Sequence, residues 1–146
     1  KQWFDWAITQ TKKANLITKS LFAWAGGTAA VRYMTYEQPK GTDYQIPSGK
    51  EFRALKLVFQ GGTAAQELAI GYADTAVAEG TTAPTAEVYL LGGNDGTSAY
   101  IVDTAGKYYE TYVDATMPAG KYPLLSRNST GTTALRTMLF GVEYDA

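Results

Sequence analysis

The 146-residue sequence contains no cysteine and no histidine. That removes thiolate nucleophiles, disulfides, Cys/His zinc centres and histidine-based triads together. Charge is scarce as well: Asp, Glu, Lys and Arg make up 18% of the chain, against roughly 25% in an ordinary globular protein. Thirteen basic residues face fourteen acidic ones, and Lys12-Lys13 is the one adjacent basic pair. Such a balance offers no electrostatic footprint for nucleic acid. No apolar run approaches the roughly 20 residues of a membrane-spanning helix, and no stretch has the layout of a signal peptide. The chain opens on Lys1 rather than Met, which leaves open what precedes it.

Glycine, tyrosine and threonine are abundant instead. Of the six Gly-Thr pairs in the chain, four, Gly27-Thr28, Gly62-Thr63, Gly96-Thr97 and Gly131-Thr132, recur at spacings of 35, 34 and 35 residues. Glycine accepts the positive φ of tight turns, and Thr suits the head of the returning strand. Each pair is therefore expected at a hairpin between short strands, a beat typical of an all-β sandwich or barrel. A propeller is a poor fit, because a blade needs four strands and each interval holds about two. The expected fold is a single β-sandwich, jelly-roll-like, with about 8–9 short antiparallel strands. It spans residues 19–146 and follows an N-terminal arm, residues 1–18.

Individual strands follow from alternation. A first hairpin is expected from Leu21 to Tyr36 through Gly26-Gly27. In Phe52 to Gln60, the residues Leu55, Leu57 and Phe59 face one way and Lys56 the other, before a return through Gln66 to Tyr72. Glu87 to Leu91 and Tyr100 to Asp103 are expected to pair around Asn94-Asp95-Gly96. From Tyr108 to Asp114, Tyr109, Thr111 and Val113 oppose Tyr108, Glu110 and Tyr112. Lys121 to Arg127 and Ala134 to Tyr144 flank Asn128 to Gly131, and Met138, Phe140 and Val142 share a face.

Chemical signals are thin. The carboxylates form no pair set in apolar sequence; Asp74, Asp103 and Asp114 read as turn-bonding residues at strand ends, although a glycosidase pair is a matter of spatial separation. Gly92 to Gly96 offers one carboxylate and one amide side chain, far short of the six to eight oxygens calcium takes, so a plain turn is expected there. Asn128-Ser129-Thr130 matches a glycosylation sequon and is also a good turn. Tyr100, Tyr108, Tyr109, Tyr112 and Tyr122 suit packing on a sheet or a stacking platform for sugars. No cofactor and no metal is expected, and no enzymatic activity.

The arm is the other unusual segment. Trp3, Phe4, Trp6 and Ile8 crowd the first eight positions. Large aromatics anchor interfaces because each buries much area at low entropic cost. The arm either folds back on its own core or docks on a neighbouring subunit, and in the second case these four residues are the partner-binding set.

Ile46-Pro47-Ser48-Gly49-Lys50-Glu51-Phe52 and Met117-Pro118-Ala119-Gly120-Lys121-Tyr122-Pro123 share an apolar-Pro-small-Gly-Lys pattern, a tight turn leading into a strand. Between them lies Leu68-Ala69-Ile70-Gly71-Tyr72-Ala73-Asp74. This order, over about Tyr44 to Tyr144, resembles β-sandwich proteins on bacteriophage virions: head decoration (cement) proteins and related fibre modules. The resemblance implies a capsid decoration protein on the outer surface of the virion. Its implied partners are the major capsid protein and further copies of itself, as a homo-oligomer with a trimer favoured, and neither nucleic acid nor membrane. The alternative is a carbohydrate-binding module of a tail fibre or secreted enzyme. The motifs are turn chemistry, so no further functional residues carry over.

Overall fold

Strands dominate wherever the chain alternates, and no helix occurs among the described residues. The computed structural model describes residues 15–25, 32–34, 36–37, 43–62, 66–75, 86, 88–91, 100–102, 104–128 and 135–146. Ten strands lie within them: β1 (Ile17–Ala25), β2 (Arg32–Met34), β3 (Tyr36–Glu37), β4 (Lys50–Gly61), β5 (Gln66–Ala73), β6 (Val88–Leu91), β7 (Tyr100–Val102), β8 (Tyr108–Met117), β9 (Tyr122–Asn128) and β10 (Leu135–Asp145). Seven of these have four residues or more, rather than the eight or nine expected.

Two antiparallel sheets form, with orders β3-β1-β10-β4-β8 and β2-β9-β5-β6, and β7 also pairs with β5. Because β9 occupies the other edge of β5, β6 and β7 lie along the same edge, from Tyr72↔Val88 to Gln66↔Val102. They occupy successive stretches of one edge and count as one edge strand. With that strand counted once and the two-residue β3 set aside, the four-on-four order is that of a jelly roll.

This pairing corrects the expected hairpins. β1 and β2, β4 and β5, and β9 and β10 each lie in opposite sheets, and β6 and β7 pair with β5 rather than with each other. The expected hairpin from Leu21 to Tyr36 does pair at its ends, where β1 meets β3 antiparallel through Leu21↔Glu37 and Phe22↔Tyr36. A glycine-rich turn reverses the chain equally well within a sheet or between layers; burial of the inner faces decides which. Gly62 sits in a bend directly after β4. Thr63 and the other five Gly-Thr pairs lie outside the described residues.

The core fills the space between the sheets with Leu21, Ile46, Phe52, Leu57, Leu68 and Ile70, all fully buried. In β4 the inward set is Phe52, Ala54, Leu57 and Phe59, so the alternation changes phase. Leu55 has no partner in the ladder to β10 or to β8. This bulge turns Leu55 outward, 38% exposed, where the sequence places it beside Leu57 and Phe59. An extra residue in one strand shifts every later side chain to the other face. Gly141 packs at the same level on β10. A Cβ there would lie 2.3 Å from the Arg53 carbonyl oxygen and 2.6 Å from the Phe52 ring.

The two Pro-x-Gly-Lys turns meet at one end of the sandwich. The Ile46 amide donates to the Lys121 carbonyl at 2.9 Å, and the Gly120 amide donates to the Ile46 carbonyl at 2.7 Å. Gly49 and Gly120 have φ of 75° and 79°, the left-handed region this turn needs and other residues resist. The lysine closing each motif pairs with an aspartate, Lys50 with Asp145 and Lys121 with Asp74.

Candidate interaction surface

The outer face of the β3-β1-β10-β4-β8 sheet is built by register. Val58 lies between Met138 and Glu110, Lys56 between Phe140 and Tyr112, and Gln60 between Arg136 and Tyr108. Met138, Phe140 and Val142 do share a face, and it is this outer one: Thr137, Leu139, Gly141 and Glu143 on the opposite face are buried, and Tyr144 is buried as well near the end of β10. Half-buried Val58, Met138 and Phe140 therefore form an apolar centre. Beyond them on β8, Tyr108 and Tyr112 are 68% and 84% exposed.

Ion pairs frame this centre. Arg53 grips Asp114 with two hydrogen bonds, of 2.8 and 2.9 Å. The hydrogen bonds and charge of Arg53 hold the Asp114 carboxyl below its usual range, and the Asp114 hydrogen bonds raise the arginine. Lys56 pairs with Glu110 at 2.5 Å and lies 5.8 Å from the centre of the Phe140 ring. Its pKa rises through the hydrogen bond to Glu110. A surface pocket of 110 Å³, lined by Val58, Phe59, Tyr108, Arg136, Thr137 and Met138, opens at the end of the face nearest Gly61.

Three further carboxylates are used structurally. Glu143 is buried and accepts a hydrogen bond from the Tyr44 hydroxyl at 2.7 Å, with Lys19 Nζ 3.8 Å away. Glu51 accepts from Tyr144 at 2.9 Å; burial first, and this bond second, push the Tyr144 phenol up. Asp145 is held below the usual carboxylate range by its hydrogen bonds from Lys50 and Asn15. Among the described residues, no group of three or more acidic side chains converges as a metal site.

Several expected residues take other places. Asp114 lies inside β8, not at a strand end, because β8 continues to Met117. Asp74 serves as the partner of Lys121. Tyr109 points inward and stacks on Phe59 at 5.1 Å, while half-buried Tyr122 packs against Ala73 and Leu124. Trp3, Phe4, Trp6 and Ile8 lie outside the described residues, as do Asp103, Gly92 to Gly96, Ser129 and Thr130. Sequence reasoning missed the pocket residues Val58, Arg136 and Met138. Alternation indicates their faces, but only long-range pairing brings them together.

Fold and surface together define a jelly-roll β-sandwich with one outer face that is partly apolar and aromatic. The chain matches no protein-family model, no curated protein and no solved structure.

Proposed function

We propose that this protein is a virion structural component that decorates and stabilises the outer surface of a phage capsid. It works through contacts with the major capsid protein and with further copies of itself, without turnover. The observation that carries this reading is the aromatic outer face: Tyr108 and Tyr112 stand exposed beside Val58, Met138 and Phe140 on a rigid sheet. Apolar and aromatic side chains held outward by a stiff scaffold are what an interface offers. Jelly rolls serve in capsids and in lectins, so the fold narrows the field without choosing within it. The second reading, a carbohydrate-binding module, draws on Tyr112, whose ring is open to stack against a sugar.

Cosedimentation with purified phage heads tests the proposal. The full chain is expected to pellet with heads, and a chain lacking residues 1–8 to pellet much less while keeping its melting temperature. Failure of the full chain to bind heads overturns the decoration reading. Glycan binding that disappears in Tyr112→Ala favours the second.

A further inference from the structure

We propose that the pocket lined by Val58, Tyr108, Arg136 and Met138 seats the aromatic N-terminal segment of a second copy of this chain. The inference deepens the assembly reading above and rests on it for the role of residues 1–8. Its first support is fit. At 110 Å³ the pocket is comparable to a cavity of about 150 Å³ that accommodates a benzene ring, and its rim carries Tyr108 and the thioether side chain of Met138, good company for an aromatic ring.

The second support is charge. Arg136 is exposed at the pocket and has no carboxylate partner among the described residues, whereas Arg53 and Lys56 on the same face are paired. The segment places one acid, Asp5, between Phe4 and Trp6. A guanidinium can pair with that carboxylate and stack on a neighbouring ring at once.

The third support is where the segment begins. Asn15 has φ of 71° and donates to Asp145 at 2.7 Å, at the sheet end where β10 finishes. The pocket lies at the opposite end, beside the start of β10. A segment returning to it over its own sheet would run across Leu16, Thr18 and Ser20, and all three are exposed. Fourteen residues reach roughly 46 Å when extended, ample to cross to a neighbour. Segment-on-face contact joins two different patches, so it is met either by reciprocal exchange of segments in a pair or head to tail around a ring.

Sedimentation of the full chain without heads, with charge reversal, is the test. Wild type is expected to associate. Asp5→Lys and Arg136→Glu should each weaken association at least about tenfold, and the double variant should recover most of it, all with unchanged melting temperatures. A monomer at every concentration overturns the proposal, as does association indifferent to either change or not rescued by both. Because the chain lacks cysteine, Ala7→Cys and Gln60→Cys introduce unique crosslinking sites. Mixing the two single variants should give crosslinked dimers; a chain carrying both that crosslinks only internally at high dilution overturns docking between copies. Self-association is read without capsid, so loss of head binding alone fails the decoration reading and leaves this one standing.

Discussion

β8 and β10 belong to one sheet, separated only by β4, yet they distribute their side chains in opposite senses. In β8 the inward set is Val113, Ala115 and Met117, and the outward set alternates Tyr108, Glu110, Tyr112, Asp114 and Thr116. In β10 the inward set includes polar Thr137 and Glu143 and bare Gly141, and the outward set is Met138, Phe140 and Val142. β8 is an edge strand with one wet face. β10, at the centre, has apolar side chains on both faces, the pattern of a strand covered on both sides. The outside of this sheet is therefore composed partly as a second interior.

The largest expected effect is at Gly141. Gly141→Ala forces a methyl into the Arg53 carbonyl and the Phe52 ring and should cost about 3 kcal/mol by overpacking. For a chain of this size that lowers Tm by roughly 10 °C. The comparison is tested directly by neighbours on β10. Leu139→Ala should destabilise the unassociated chain by about 3 kcal/mol, and Met138→Ala by less than about 1 kcal/mol. Equal losses in chemical denaturation would mean that the two faces of β10 are not different in kind.

The smallest effect concerns the charged frame of the outer face. Asp114 and Asp145 have folded-state pKa values below their ordinary ones. Their contribution to stability is thus fully present above the unfolded carboxylate value, about 4. It is lost as pH falls through the lower folded values. Arg53→Gln should flatten the decline of Tm below pH 4 slightly while leaving Tm at pH 7 nearly unchanged, since exposed pairs contribute little. A large loss at pH 7 would show that the frame is structural rather than peripheral.

The same two strands show what was legible in the sequence. For β8, alternation separated the two faces correctly, because an edge strand with one buried face follows the simple period of two. For β10, grouping Met138, Phe140 and Val142 was correct, but their side was hidden: an apolar set has no direction until the partner strands are known. Leu55 was misplaced because a bulge is one extra residue without a side-chain signature. The reversal at Gly62 was legible as a turn but not as the passage from β4 in one sheet to β5 in the other, since turn chemistry is local and sheet membership is not. The pocket beside Arg136 draws on β4, β8 and β10, far apart in sequence, and no spacing rule reaches it.

The position of β10 also governs when this protein can fold. The last of the described strands in chain order sits between β1 and β4, pairing with Ile17 to Ala25 on one side and Lys50 to Gly61 on the other. Until residue 145 has emerged, β1 and β4 have no bond between them and their sheet has a gap at its centre. The nascent chain must keep two long strand edges, with their unpaired amides and carbonyls, from pairing with other chains. Closing loops of this length last makes folding slow and leaves the incomplete chain exposed to aggregation. Of the described strands the keystone is thus made after all its neighbours, and any change that removes β10 leaves the sheet without its centre rather than merely trimmed.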